Sequence, residues 1–579
     1  MKTTKIGEYD KEGKTMKKLF CILLTALMLL SCASGCFAEE TDYKAIYADR
    51  VGYVVDNFAA WAEENGVSDY LKPYDAPTTV TMVHNYNNSA ENMIGKLGEK
   101  YGENYSTNRW TEIMKKCLNI DVQYDWWAHD DDYNTKLRMS MGASTLPDVF
   151  VVNQQSDVAQ LAEAGQIIPL NDLIEKCALP EIRERWYMDG GLTLSMVTID
   201  GQIYGFPQTL SHTDDAAYIF IRSDWMKELG IEEPKTIEDV WNIGYKFVEA
   251  GKAKYGVFLE AGQPSVMYDY LRGMCEAYHA YPQTWVVTED GKLQFGATQD
   301  AMKAPLTQLQ KLYADGMIDP EFATKDETKA FEEIINGNIG LVFGPHWVMT
   351  FVMNMYDLEP TKDVTWYCCA IPDSEGNIVP EAIKTNNRGF VCINANCKNP
   401  EAAFKMLNLY HYASYYSNDP TWWGYEESYS RMIAPVWSTV KPTDNLDTYE
   451  NLQKVFAAND PSLLEGKAVS YYGNITSSDY KKAWAWNQMF GTADYTPMKV
   501  LKYLSENGLL FYNAYVGAPS ITYQDYWSTM DDLTTQMLIK VIMGADVDTT
   551  FDEYVKQWNA IGGEKITEEA NEWYQQQHK

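Results

Sequence analysis

Hydrophobic and polar positions along the chain follow two periods. Short β-branched or aromatic runs at Thr79 to Val83, Val122 to Trp126 and Val149 to Val152 read as strands, and helically spaced apolar residues fill the stretches between them. This alternation predicts an α/β fold with a largely parallel sheet. The tract from Leu146 to Lys176 is the most informative. Val149 to Val152 has the composition of a strand buried on both faces, with Pro147 at its start. Ser156 or Asp157 can cap the helix that follows, whose apolar positions are Val158, Leu161, Ala162 and Ala164, and Gly165 supplies a left-handed stop. Asn153, Gln154 and Gln155 fall between strand and helix, where open α/β sheets release their chain toward a ligand crevice. An ordinary polar loop accounts for the same three residues by position alone.

The spacing of Ile46, Tyr47, Val51, Val54, Val55 and Phe58 predicts an N-terminal helix over Tyr43 to Trp61, and Pro73 and Pro77 mark its junction with the first strand. Thr236 and Asp239 form a capping box before Val240, Trp241, Phe247 and Val248, and Gly251 closes that helix. Asn399 and Pro400 open another, carrying Ala403, Met406, Leu407 and Tyr410. A chain of 579 residues exceeds one hydrophobic core and divides into at least two lobes.

Composition narrows the choice of partner. With 48 basic against 81 acidic residues and a net charge of −33, the chain is ill suited to nucleic acid or anionic lipid, and a strongly anionic ligand is disfavoured. The 41 Tyr and 18 Trp residues offer aromatic faces on which sugar rings can stack. Met16-Lys17-Lys18 and the apolar run Leu19 to Leu30 read as a signal peptide, too short for a permanent membrane span. Cys32 and Cys36 each follow a lipobox-like stretch, so a lipid anchor is expected; cleavage after Cys36-Phe37-Ala38 would instead give a secreted soluble form. The other cysteines, from Cys117 to Cys397, lack the paired spacing of a metal site and read as buried thiols. No metal or cofactor is expected. Gly-x-Ser-x-Gly, His-Glu-x-x-His and P-loop patterns are absent, although two carboxylates brought together by tertiary structure suffice for glycoside hydrolysis.

"LPDVF" at Leu146, "LAEAGQIIPLNDLIE" at Leu161, "GQIYGFPQ" at Gly201, "YIFIRSDWMKELGIEEPKTIEDV" at Tyr218, "NGNIGLVFGPHWVM" at Asn336 and "NRGFVCINANCKNPEAAFKMLN" at Asn387 occur in one order, followed by the tail "FDEYVKQWNAIGGEKITEEANEWY" at Phe551. This ordered series resembles the bacterial extracellular solute-binding lipoproteins of carbohydrate ABC importers, the subgroup related to maltose- and alginate-oligosaccharide-binding proteins. The resemblance implies a periplasmic-binding-protein-like fold: two α/β lobes joined by hinge crossings near Phe206 to Ser211 and Thr385 to Phe390, with a ligand cleft between them. On this scheme residues 1–38 are the export signal, 39–78 a helical extension, 79–210 with 389–412 the first lobe, 211–388 with 413–545 the second, and 546–579 a C-terminal helical segment.

Candidate ligand-binding residues follow from these placements. Asn153 and Gln154 occupy the polar elbow, Tyr86 and Asn87 follow the first strand, and Trp127 is one of two adjacent tryptophans that strand alternation sends to opposite faces. Gln208 and His212 lie on the outward crossing, Asn387 and Arg388 on the return. Trp422 and Trp423 sit in a Pro- and Gly-containing stretch unsuited to a helix interior, and Trp486 lies two residues from Trp484, so that only one of the pair can share a helix face with the core. Trp347, in "FGPHWVM", resembles the family's tryptophan after Gly-Pro that stacks on sugar, with His346 inserted between Pro345 and Trp347 so that either ring is a candidate. The expected protein is a monomeric, non-enzymatic binder at the outer face of the membrane that captures an oligosaccharide by lobe closure and delivers it to permease subunits. A binder or sensor of another polar solute such as a peptide is the alternative, and a polysaccharide hydrolase or lyase a more remote one. Residues before Met16 are polar and of mixed charge, unlike the start of a signal peptide. A secretion-blocked precursor is therefore expected to begin at Met16 on N-terminal sequencing, and one beginning at Met1 refutes that start.

Overall fold

A computed structural model describes residues 42–262, 264–353, 364–385, 387–417, 419, 422–423, 430–437, 440–517 and 520–577. The expected export signal and both candidate lipidation sites, Cys32 and Cys36, lie outside these residues. The chain divides into two compact units, Met1–Arg50 and Val51–Lys579. The described part of the first is the opening of the helix Tyr43–Glu64, and the second carries every strand.

The strands that organise the molecule are, in chain order, β1 (Thr78–Tyr86), β2 (Ile120–His129), β3 (Val149–Val152), β4 (Phe206–Thr209), β5 (Tyr218–Arg222), β6 (Leu341–Gly344), β7 (Trp366–Cys369), β8 (Glu381–Ile383), β9 (Asn387–Ile393) and β10 (Leu510–Tyr512). The first sheet has the order β2-β1-β3-β9-β4 and the second β6-β5-β7, while β8 pairs with β10 alone. Each of the two larger sheets is the centre of an α/β lobe. β1, β2 and β3 are parallel, as the alternation of strands and helices requires, and every residue of β3 is buried. The second sheet is antiparallel throughout, and β9 runs antiparallel to both β3 and β4. The expectation of a largely parallel sheet therefore holds for half of the strands in the main sheets only. β9 reaches the first sheet from the second lobe, so no crossover helix of its own sets its direction.

Alternate residues of β5 serve two cores. Ala217, Ile219 and Ile221 pack with the helix Ile237–Glu249 and with Phe551, Tyr554 and Trp558 of the C-terminal helices. Tyr218 and Phe220 face the other way, onto Phe331, Val348 and Leu452. The capping box is present, with Thr236 Oγ1 accepting from Asp239 N at 3.2 Å. The helix after the polar elbow differs from its expectation: it begins at Gln155, its cap is Gln154, and neither Ser156 nor Asp157 serves as that cap. Gly165 still adopts the predicted left-handed turn, at φ 64°.

The segment after the helix Glu401–Tyr416 packs on the first lobe rather than the second. Trp423 lies 5.1 Å from Trp110, the Arg109 guanidinium stands 3.6 Å over the Trp422 ring, and Trp110 Nε1 donates to the Ser430 carbonyl at 2.9 Å. Only at Pro442, whose carbonyl accepts from His212 N at 2.9 Å, does the chain meet the outward crossing and turn to the second lobe. A third crossing thus joins the two that the family resemblance implied.

Where β9 shifts register between Asn387 and Phe390, Gly389 has a φ of 85°. A Cβ there would lie 2.6 Å from Asn153 Oδ1 and 2.8 Å from Val151 Cγ1, so neither backbone nor space admits a side chain. Gly389→Ala is expected to cost about 1–2 kcal/mol from the backbone alone, with further loss from the collision with Asn153. Urea denaturation measures it; an unchanged midpoint would contradict the strained register.

Candidate functional site

Five strand termini meet at one edge of the first sheet. β1 ends there at Tyr86, β2 at His129, β3 at Val152 and β4 at Thr209, while the antiparallel β9 begins there at Asn387. The carboxyl edge of such a sheet is where open α/β proteins hold ligands, because no side chain of the sheet itself fills the space beyond it. A recess of about 280 Å³ opens at this edge. His84, Asn85, Tyr86 and Asn87 form one wall, Asp130 the end, and Gln208, Arg388, Met432 and Trp437 the other wall.

The wall residues are held by short local bonds. Asn85 Nδ2 donates to Asp130 Oδ1 at 2.7 Å, tying the end of β1 to the turn after β2. Asn87 Oδ1 accepts from Ala90 N at 2.9 Å and so caps the helix Asn88–Tyr101. His84 Nδ1 lies 2.7 Å from the Asn85 carbonyl, and Trp127 stacks on the imidazole at 4.5 Å. Burial pushes the His84 pKa down, which keeps the ring neutral at pH 7. With the Gln208 amide oriented to suit its neighbours, its nitrogen donates to the Arg388 carbonyl at 2.9 Å and its oxygen accepts from Trp437 Nε1 at 3.0 Å. Gln208 therefore fixes β4, β9 and the 430–437 segment in one place.

Of the residues predicted from sequence, Tyr86, Asn87, Gln208 and Arg388 line this recess together. Asn153 and Asn387 stand beside it. Asn153 Nδ2 donates to Asn134 Oδ1 at 3.1 Å, and Asn387 Oδ1 accepts from Gly389 N at 3.0 Å. Gln154 is exposed at the helix start. Trp127 corrects its expectation: one face rests on His84 and Tyr105 packs at 4.7 Å, so the ring backs the recess instead of facing it. Trp422 and Trp423 are likewise corrected. Both are completely buried, and Arg109, Tyr101 and Trp110 pack around them. A Pro- and Gly-containing stretch argues against a helix interior, but not against burial under other elements.

The second lobe carries the rest. His346 follows β6 and is buried 3.5 Å from Asn445 Nδ2, whose nitrogen also donates to Asp214 Oδ1. The Lys467 ammonium donates to Asn445 Oδ1 at 2.5 Å and pairs with Asp444. Burial pushes Asp214 up to about 6, against the pull of Lys467. Trp347 is half-buried, edge-on to Tyr270 at 6.5 Å and 5.5 Å from Phe351. Trp486 packs 4.4 Å from Tyr471 and stacks on Phe490. On the outward crossing, His212 Nδ1 meets the Tyr512 hydroxyl at 3.1 Å.

Sequence reasoning missed His84, Asn85, Asp130, Met432 and Trp437. The acidic run after Trp127 marks the end of β2 and could have pointed to Asp130. Nothing local to Trp437 announces that it will meet Gln208, more than two hundred residues earlier. Among the described residues there is no cluster of His, Cys, Asp and Glu suited to a metal ion, and no helix is long and apolar enough to cross a membrane.

Residues 95–410 match the model of the bacterial extracellular solute-binding protein family. The fructooligosaccharide ABC transporter substrate-binding protein FusA of Streptococcus pneumoniae is 23% identical over 476 residues, covering 76% of this chain and 82% of its own. The polygalacturonan/rhamnogalacturonan-binding protein YtcQ of Bacillus subtilis is 22% identical over 269 residues, 46% of this chain and 51% of its own. Among solved structures, the alginate-binding protein AlgQ2 without calcium ion superposes with a TM-score of 0.57 at 17% identity, covering 87% of this chain and 99% of that one. A solute-binding protein from Bifidobacterium longum infantis, described as binding HMO, gives 0.58 at 14% identity over 86% and 99%.

Burial pushes His346 down to about 4, and the Lys467 charge acts in the same direction. The unfolded chain takes up this proton near 6.5, so the stability carried by the neutral ring is present above that pH and is lost as the pH falls toward 4. Asp214, raised to about 6, works in the opposite sense over the same window, which makes the comparison with wild type essential. His346→Gln is expected to flatten the acid limb of unfolding free energy by up to ~1.4 kcal/mol per pH unit between about pH 6 and 4.5. Urea titrations at several pH values measure this, and an identical limb in the variant would mean that His346 is not held neutral.

Proposed function

The chain belongs to the bacterial extracellular solute-binding protein family, and we propose that it is the substrate-binding component of an ABC importer that captures an oligosaccharide between two lobes. The observation that carries this reading is the recess at the carboxyl edge of the first sheet, where Asn85, Asp130, Gln208 and Arg388 surround a half-open space beside Trp437. Sugar binding asks for this chemistry. Hydroxyl groups exchange water for planar amide, carboxylate and guanidinium partners, and an indole face covers the C–H side of a ring. The names of FusA and YtcQ refer to fructooligosaccharide and to polygalacturonan/rhamnogalacturonan, which supports a saccharide ligand over a peptide.

Three crossings between the lobes suit closure. None interrupts a helix, and the lobe edges that face the crossings carry polar side chains, so ligand contacts from both sides can select a closed state. The domain limits inferred from sequence remain our proposal, with the segment through Trp437 reassigned to the first lobe. We also propose that Cys32 or Cys36 carries a lipid anchor at the outer membrane face, that the protein is monomeric, and that the closed surface engages permease subunits. Capture with later release calls for roughly micromolar affinity, about −8 kcal/mol. Several hydrogen bonds and one or two stacked rings supply that.

Thermal-shift screening against neutral and acidic oligosaccharides is expected to find stabilising sugars that are recovered intact. In a titration with such a sugar, Trp437→Ala should weaken binding about tenfold or more, ~1.4 kcal/mol, and because the ring is buried it should also cost urea stability. Stabilisation by peptides alone would overturn the saccharide reading, and new reducing ends would point to a hydrolase.

A further inference from the structure

Charges are out of balance where two of the crossings meet the second lobe. Glu276 ends the helix Pro264–Glu276, and Glu381 opens β8, the strand from which the return crossing departs. Arg272 stands one turn before Glu276, with its Nε 3.6 Å from the Glu276 carboxyl. Exposure is 0% for each acid and 3% for the arginine, so water screens none of the three. One guanidinium can match one carboxylate. Lys384, the other cation that acts on Glu276, is exposed, and the second buried acid is left without a balancing charge. An unbalanced buried charge costs a fold several kcal/mol or gives way to the neutral form.

The same two carboxyls fasten the crossings. Glu381 Oε2 accepts from Ala217 N at 2.7 Å, just before β5, where the outward crossing arrives. Glu276 Oε1 accepts from Ala382 N at 3.4 Å, inside β8. The remaining oxygen of each acid, Glu276 Oε2 and Glu381 Oε1, is buried with no hydrogen-bond partner, and such an oxygen calls for a proton. Burial lifts both carboxyl pKa values, Glu276 to about 7, and the Glu276 charge lifts Glu381 further. Half-buried Asp215, two residues before Ala217, and Asp269, on the helix of Glu276, add negative charge around Arg272. Tyr218, Tyr281, Cys275 and Cys368 complete the surroundings. Burial pushes each of them up, so they stay neutral while the acids titrate.

We propose that Glu276 and Glu381 jointly retain one proton at neutral pH, and that this proton fastens the outward and return crossings where they meet the second lobe. Its release to bulk water leaves two carboxylates beside one arginine, and their repulsion loosens the bonds to Ala217 and Ala382. The lobes then move more freely in alkaline than in acid solution. The proposal rests on the reading that the lobes move about these crossings. A free glutamate loses its proton near 4.5, so the stability that the retained proton carries is complete below that pH and is lost as the pH rises through about 7.

The experiment compares the full mature chain as wild type, Glu276→Gln and Glu381→Gln by infrared spectroscopy, urea denaturation and small-angle X-ray scattering over a range of pH. Wild type is expected to carry at neutral pH a protonated-carboxyl component that each variant lacks, because the acid left behind pairs with Arg272 and ionises. Its folding constant should fall, relative to either variant, by up to about tenfold per pH unit between about pH 5 and 7. Its radius of gyration should grow in alkaline solution by more than that of either variant. An infrared component that survives in both variants, or stability profiles that run parallel to wild type, overturns the shared proton. A radius that shrinks with a stabilising oligosaccharide yet shows the same pH response in all three chains overturns the fastener while upholding lobe closure. A radius that responds to neither sugar nor pH overturns both. Both variants keep the shape of the side chain, and either one decides the matter if the other fails to fold.

Discussion

The site depends on one strand pairing. β9 runs antiparallel between β3 and β4, which sets Asn387 and Arg388 at the same edge as the ends of the parallel strands. A one-residue slip would turn every side chain of β9 to the opposite face and take Arg388 away from Gln208. The register is pinned by Gly389, whose φ of 85° and contact with Asn153 leave no room for a Cβ. Val391 and Cys392, paired with Val151 and Phe150, are themselves completely buried. The burial of apolar strand residues thus holds a left-handed glycine in place, next to Arg388 in the recess and Asn387 beside it.

The crossings are stabilised by buried carboxyl groups rather than by apolar packing alone. Glu381, at the start of β8, accepts from Ala217 N at 2.7 Å and so ties the return crossing to the outward one. Glu276 accepts from Ala382 N at 3.4 Å and lies 3.6 Å from the Arg272 guanidinium. Both acids are fully buried, and burial raises both pKa values, that of Glu276 to about 7. One arginine between two buried carboxyls leaves them reluctant to ionise together. Lobes joined in this way share polar bonds with directional geometry.

The aromatic residues divide between two tasks. Trp110, Trp422 and Trp423 build a closed cluster with Arg109, whose charge is met by Glu103 at 2.7 Å inside the first lobe. Such a buried pair adds specificity of packing, because removing either partner strands a charge away from water. Trp437 is nearly as buried, but it borders the recess and its indole nitrogen holds Gln208. An abundance of tryptophan and tyrosine is therefore a weak pointer to any one ring, although it is a fair pointer to the class of ligand.

Sequence alone determined the local elements: the strand Val149 to Val152, the capping box at Thr236 and the left-handed stop at Gly165. These rest on forces between residues close in the chain, namely hydrophobic period, capping and turn geometry. Tyr86 and Asn87, singled out at the end of a strand, and Gln208 and Arg388, singled out on the crossings that the resemblance implied, come together around one recess. Tertiary structure alone decided that Trp422 and Trp423 are core, that Trp127 supports His84, and that Trp437 and Asp130 complete the recess. Those outcomes depend on which surfaces meet after the chain has crossed between lobes three times. Burial of a ring is a property of its neighbours in space, and the residues beside it in sequence do not encode it.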